Sequence, residues 1–402
     1  MTSATDHNPL SSNNIAAALA LPYGLGASAL RLPHRPPASA DPLCTGTVAA
    51  FSAEVDTVPS SSGLLDPITR LADDTPACRE MEWGDGSAPP LYLPPPDRID
   101  DVLAAEVDTR LTTWARGLGL GDDDAEQLRS IGYGRLVMLT HSECDDPDCL
   151  LVAAQMNTAW WMADDLFADD TARGAISAEL GPRLSLVMAV LDPLPSLGEF
   201  SARLDEALSG HLVFRAFDSA LAHLRRHATP GQVQRACYAT AAMFVSWNAY
   251  AAWRESGRTL PAWEYLAARQ HDSFYTSMTL IDPVAGYLLP DELFYRTAVR
   301  HAAFRAGTAA VLVNDLLSVA KDAADENPVC NVVLQVAADR DCSLREATEI
   351  VVDLHNRVVR DFEAARRAML AVPVPELRRY LRGLRSWMAG SFEWHNTNPR
   401  YR

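Results

Sequence analysis

From Asp101 onward, apolar residues recur at intervals of three and four, the period of a helix with one buried face. In VLAAEVDTRLTTWARGLGL, Val102, Val107, Leu111 and Trp114 fall near one face, and the pattern stops at Gly117 and Gly119. The same reading predicts helices over about 124–141, 147–169, 180–192, 200–226, 230–255, 261–280, 290–305, 306–324, 328–337, 343–371 and 374–395. Strand-type alternation flanked by hairpin dipeptides is absent, and no repeat of solenoid length is visible. The expected body is therefore one all-α domain, residues 91–402.

Residues 1–90 follow no sustained period. RLPHRPPASADP and VPSSSGLLDP are runs of chain breakers, so this part is expected to be a disordered Pro/Ser/Ala-rich tail. PPLYLPPPDRIDD, Pro89 to Asp101, is expected to be an extended lead-in, because proline fixes φ.

Composition narrows the partners. The formal net charge of −17 argues against nucleic acid and anionic membrane. No stretch reaches the roughly 20 apolar residues of a membrane span. IAAALALPYGLGASAL lacks the basic residues that precede a secretory signal. Seven cysteines at irregular spacings fit free thiols in a reducing cytoplasm. His141, Cys144 and Cys149 in HSECDDPDC could offer three zinc ligands, but no second Cys/His pair completes four, and incidental thiols are the preferred reading. The 35 basic residues include one lysine, Lys321.

Two oxygen-rich sets carry the chemistry. In WWMADDLFADD, four carboxylates lie within seven residues. On an α-helix Asp165 and Asp169 share a face and Asp164 stands one step round. Aspartates at the negative end of a helix dipole are misplaced by about 0.3–1 kcal/mol each. A hard cation such as Mg²⁺, which takes oxygen ligands and bridges carboxylates to phosphates, reverses that sign. Downstream, VLVNDLLSVAKDAADE places Asn314, Ser318 and Asp322 at i, i+4 and i+8, a column about 12 Å long. Lys321 beside it supplies a compact ammonium suited to phosphate.

Together these sets resemble the class I terpene synthases, a family of all-α bundles with a central active-site cavity. There an Asp-rich motif and an N-D-x-x-S-x-x-K-E motif on facing helices hold three Mg²⁺ ions around a prenyl diphosphate. The resemblance implies Asp164, Asp165, Asp169, Asn314, Ser318 and Asp322 as metal ligands. Two departures stand out: Asp322 replaces the usual Glu, and Ala168 occupies the last position of D-D-x-x-D, leaving Asp169 one residue late. ARQHDSFY matches the family's diphosphate sensor, with Arg269, Asp272 and the helix-break residue Ser273. Arg400-Tyr401 matches its C-terminal pair, so Arg269, Lys321, Arg400 and Tyr401 are implied diphosphate donors.

PPLYLPPPDRIDDVLAAEVDTRLTTWARGLGL, GRLVMLTHSECDDPDCLLVAA and the Pro-rich tail look like the 2-methylisoborneol synthase branch. That likeness implies cyclisation of 2-methylgeranyl diphosphate, supplied by a partner methyltransferase, to a methylated bornane-type product. Water capture gives 2-methylisoborneol and deprotonation gives 2-methylenebornane, and the residues leave this open. A homodimer is implied by resemblance alone. The cation needs a dry aromatic wall, since ring faces attract cations by about 0.5–2 kcal/mol each. Trp160, Phe167 and Trp394 are the candidates, with Trp247, Phe274 and Tyr275 also placed near the motifs. Neighbours on a helix lie about 100° apart, so Trp160 is preferred over Trp161. A chain-elongating prenyltransferase would carry a second D-D-x-x-D. A farnesyl diphosphate cyclase and a helical binding protein with a degenerate metal site are the remaining rivals.

Overall fold

The computed structural model describes residues 75–169, 175–258, 260–324 and 331–398; of Asp169 only the backbone is described. The expected tail up to residue 74, Asp170, Arg400 and Tyr401 lie outside the described residues.

The body begins ahead of residue 91. Strand β1 (Arg79–Met81) pairs antiparallel with β2 (Leu91–Leu93), Met81 facing Leu91. This hairpin replaces the expected extended lead-in. The alternation in Leu-Tyr-Leu turns Leu91 and Leu93 to one face, and both are fully buried.

Sixteen described helices follow. They are α1 (Asp101–Gly117), α2 (Asp122–Ile131), α3 (Tyr133–Thr140), α4 (Pro147–Ala163), α5 (Ser177–Leu191), α6 (Glu199–Gly210), α7 (Leu212–His227) and α8 (Pro230–Ser256). Then come α9 (Ala262–Arg269), α10 (Tyr275–Met278), α11 (Ile281–Val284), α12 (Asp291–Phe294), α13 (Thr297–Asp322), α14 (Val332–Arg340), α15 (Leu344–Met369) and α16 (Pro375–Thr397). Capping explains many of the starts. Thr229–Gln232 and Ser343–Glu346 form capping boxes, Asp100 accepts from Leu103 N, and Pro147, Pro230 and Pro375 open their helices.

Several expected spans split. Gly132, at φ +73°, separates α2 from α3. The expected 261–280 helix breaks after Arg269 and resumes at Tyr275. Conversely, the expected helices 290–305 and 306–324 are mostly one helix, α13, running unbroken through Gly307. That glycine serves close approach: a Cβ there would meet Ser273 Oγ at 2.8 Å and Tyr275 N at 3.2 Å. The chain between α9 and α10 can thus lie against α13. Val102, grouped with the α1 core face by periodicity, is exposed, whereas Val107 and Leu111 are buried.

Helix α13 is central and packs on α15 and α16; α16 packs on α3, and α4 on α7. Among the described helices α13 is long and apolar enough on average to cross a membrane, although no run of about 20 apolar residues occurs in it. Its apolar side chains are instead core, and it carries buried Asp315 and Ser318. Glu363 on α15 binds Arg385 of α16 at 2.8 Å and Arg366 at 2.9 Å, so that buried carboxylate is paired twice.

The α3–α16 crossing depends on Gly390, where a Cβ would lie 2.7–2.9 Å from backbone atoms of Leu139 and Thr140. Backbone cannot swing aside. Gly390→Ala is expected to destabilise the fold by about 1–3 kcal/mol, read as a lowered denaturant midpoint at unchanged m-value.

Candidate active site

A cavity of about 220 Å³ opens between α4, α8, α13 and the α9–α10 break. Asp164 and Asp165 line it from one side and Asn314, Ser318, Lys321 and Asp322 from α13. Arg269, Asp272 and Ser273 line it from the break. The two oxygen sets read from the sequence therefore share one space.

The Asp-rich segment is not α-helical. Residues Asp164–Asp169 form a π-helix, so the expected i, i+4 face of Asp165 and Asp169 does not exist. A π turn closes i to i+5. Backbone position 169 thus stands one turn beyond Asp164, where an α-helix would put Ala168. The one-residue delay in the motif is matched by one extra residue in the turn. Arg254 Nη1 holds the widened turn, donating to the Ala168 carbonyl at 2.7 Å.

On α13, Ser318 Oγ donates to Asp322 Oδ2 at 2.6 Å. Asn331 is fully buried and donates to Asp322 Oδ2 at 2.8 Å, to Ser318 Oγ at 3.3 Å and to the Asp315 carbonyl at 2.7 Å. It also caps α14 through Val333 N. His395 Nδ1 meets the Ser391 carbonyl at 2.7 Å. A carbonyl only accepts, so Nδ1 carries the proton and Nε2 accepts from Asn314 Nδ2 at 3.1 Å. This fixes the Asn314 amide with Oδ1 as its opposite edge, the oxygen a hard cation requires.

Arg269 bridges the walls. Its guanidinium donates to the Asp272 carboxylate and carbonyl, to Asp315 Oδ1 at 3.1 Å and to Asn314 Oδ1 at 3.3 Å. Burial opposes its charge, but the Asp272 and Asp315 carboxylates hold its pKa well above the ordinary value. Asp315 also accepts from Tyr265 Oη and Val332 N, each at 2.9 Å. Burial pushes its carboxyl up, and Arg269 acts against that. Asp272 in turn accepts from Trp247 Nε1 at 2.9 Å.

The remaining wall is aromatic. Trp160, Trp161, Trp247, Tyr250, Phe274 and Trp394 line it. Trp160 donates to Thr240 Oγ1 at 3.0 Å, and Trp394 to the Gly132 carbonyl at 3.0 Å. Trp161 also reaches the cavity, against the expectation that only Trp160 would. It stacks at 4.5 Å on Tyr133 and at 5.9 Å on Trp394, a surface wide enough to include both neighbours. Phe167 is not on the cavity: it is buried against His211 and Phe214, beneath Arg183. The π turn that carries the aspartates carries Phe167 outward into the bundle. Tyr275 packs on Phe304 at 4.6 Å and is not a lining residue.

Periodicity could not reveal Asp315, Asn331 and His395. Asp315 is the D of the N-D-x-x-S pattern, which gave it no role; Asn331 and His395 act only through contacts distant in sequence.

The donor set fits a hard divalent ion and an anion together. Asp164, Asp165, Asn314, Ser318 and Asp322 offer oxygen, without thiol or free imidazole on the lining, beside Arg269 and Lys321. Arg269 Nε is buried and has no hydrogen-bond partner.

Residues 155–361 match the model for terpene synthase family 2, C-terminal metal binding. The chain belongs to the terpene synthase family. It is 34% identical over 315 residues to the 2-methylisoborneol synthase of Saccharopolyspora erythraea, covering 78% of this chain and 89% of that one. The crystal structure of 2-methylisoborneol synthase from Streptomyces coelicolor in complex with Mg²⁺ and 2-fluoroneryl diphosphate superposes with a TM-score of 0.74 at 32% identity, over 77% of this chain and 96% of that one. A farnesyl-diphosphate-cyclizing (+)-T-muurolol synthase of Streptomyces clavuligerus is 27% identical over 77% of this chain and 73% of its own.

Removing Asn331 tests the support beneath the α13 oxygens. Asn331→Ala is expected to cost about 1 kcal/mol of stability through the lost cap and to raise the Mg²⁺ concentration for half-maximal product formation about 10–100-fold. A change in melting temperature without the metal effect would reduce Asn331 to a cap.

Proposed function

We propose that this terpene synthase ionises and cyclises 2-methylgeranyl diphosphate, in the presence of Mg²⁺, to 2-methylisoborneol. The observation that carries the reading is the shared cavity, with carboxylates and carboxamide at one end and six aromatic rings on its wall. Asp164, Asp165, Asn314, Ser318 and Asp322 are the proposed ligands, with Asp169 the remaining candidate, for a complement of three Mg²⁺. When bound, Mg²⁺ neutralises charge on the leaving diphosphate.

The chain's own residues do the rest. Arg269 and Lys321 bind diphosphate oxygens, and Arg269 is already oriented by Asp272 and Asp315. Preorganised donors need no rearrangement as charge develops. Arg400 and Tyr401 are proposed to add donors when the C-terminus covers the cavity. Trp160, Trp161 and Trp394 line the cavity, and aromatic rings there stabilise a carbocation without offering a nucleophile. The Ser273 region supports the reacting end, beside Asp272. Phe167 has no part in this step.

The substrate assignment rests on the two 2-methylisoborneol synthases, closer in sequence than the farnesyl diphosphate cyclase. It implies a methyltransferase upstream. A cytoplasmic location agrees with five free thiols among the described residues. The homodimer remains a proposal from family likeness.

The test is a substrate panel of geranyl, 2-methylgeranyl and farnesyl diphosphates with Mg²⁺, analysed by gas chromatography. The 2-methylgeranyl substrate is expected to give the highest kcat/KM, with 2-methylisoborneol as main product. 2-Methylenebornane as main product would reassign the final step, and faster farnesyl turnover would overturn the substrate. Asp164→Asn and Asn314→Ala are each expected to lower kcat/KM at least about 100-fold; unchanged turnover would refute the metal assignment.

A further inference from the structure

At the far end of α4 a second cluster assembles. Asp148, in the first turn of α4, faces His223 and His227, one turn apart at the end of α7. Asp148 Oδ2 lies 3.6 Å from Nε2 of each histidine. All three ligand atoms are within 4.8 Å of one another. Asp164 stands about 24 Å away along the helix at 1.5 Å rise per residue, so the two sites are separate.

The ring protons point away from the cluster. His223, 4% exposed, directs Nδ1 to Gln155 Oε1 at 2.7 Å. The amide oxygen accepts, so Nε2 carries the lone pair, and this buried atom has no hydrogen-bond partner. At His227, Nδ1 lies 3.6 Å from Cys149 Sγ. The thiol donates a hydrogen bond to Asp146 Oδ2 at 3.7 Å. The sulfur therefore accepts from His227 Nδ1–H, and Nε2 is again the lone pair.

Two imidazole Nε2 atoms and a carboxylate oxygen thus converge on one point, the donor set of a divalent cation. Their spacing also suits one. Ligands at 2.0–2.1 Å in a tetrahedron are about 3.3–3.4 Å apart, and both Asp–His separations are 3.6 Å. Gln155 and Cys149 occupy the positions of outer-shell partners that fix ligand tautomers. Nitrogen donors select Zn²⁺ over Mg²⁺. The C-terminal end of α7 favours positive charge.

We propose that Asp148, His223 and His227 form a Zn²⁺ site that ties the start of α4 to the end of α7, with the fourth position open to solvent at exposed Asp148. It is independent of the diphosphate cavity. Of the earlier zinc candidates, Cys149 enters as a positioning residue and His141 is elsewhere, edge-on to Trp387 at 5.8 Å.

The experiment uses the full-length, tag-free chain stripped of metal and titrated with Zn²⁺ by calorimetry in excess Mg²⁺, with Co²⁺ absorption as the geometric readout. The expected result is one Zn²⁺ per chain at micromolar affinity, tetrahedral Co²⁺ bands, and a melting temperature raised by Zn²⁺. His227→Ala should weaken binding at least about 10-fold, as should Asp148→Asn, whose exposed side chain leaves folding intact. Asp164→Asn should bind Zn²⁺ as the parent does. Equal affinity in the parent and Asp148→Asn, loss only in Asp164→Asn, or binding at millimolar Zn²⁺ alone, an adventitious ion only, would overturn the site.

Discussion

Arg269 is a guanidinium enclosed between two helical walls, 15% exposed to the cavity, and the site is organised around neutralising it. Stranding one partner of a buried ion pair costs about 3–5 kcal/mol. Asp315 from α13 and Asp272 from the helix break both reach it, while Tyr265 and Val332 N hold Asp315 in place. The break after α9, the register of α13 and the start of α14 are therefore coupled through one charge. Gly307 completes the coupling sterically, since only a residue without Cβ lets Ser273 and Tyr275 lie so close to α13.

From that anchor the α13 oxygens acquire fixed orientations. Asn314 is held on one edge by His395 and touched on the other by Arg269. Ser318 and Asp322 are joined to each other and to Asn331. The opposite wall uses a different device: the π turn at Asp164–Asp169 changes the helical register where α4 meets the cavity. One wall is rigid through hydrogen bonds and the other has a widened backbone, an arrangement suited to a face that must accept metal and anion together.

The helices, the two oxygen-rich sets and Arg269 were legible because each is local: a period, an i, i+4, i+8 column, or a short motif. The order of Asn314, Ser318, Lys321 and Asp322 already implied one helical face, and they line one cavity. What failed was set by tertiary contact. Phe167 read as an α-helical neighbour of the aspartates, but the π turn rotates it into the bundle. Leu91 and Leu93 read as polyproline lead-in, although burial makes them a strand. The expected boundary between 305 and 306 does not exist, because the helix runs on through Gly307, whose packing partner lies in another segment. Asp315 was visible only as the second letter of the N-D-x-x-S pattern, without a role; Asn331 and His395 have no local signature, and Asp148, His223 and His227 are gathered only when α4 packs on α7.

The central claim is that the Asp164 wall and the α13 column close on the same metal-bound anion. Anomalous scattering from crystals grown with Mn²⁺ and a non-ionising thiolodiphosphate analogue tests it most directly. The account predicts anomalous peaks between Asp164 and the Asn314, Ser318 and Asp322 oxygens, with diphosphate oxygens on the Arg269 guanidinium. Peaks confined to one wall, or a diphosphate away from Arg269, would contradict it.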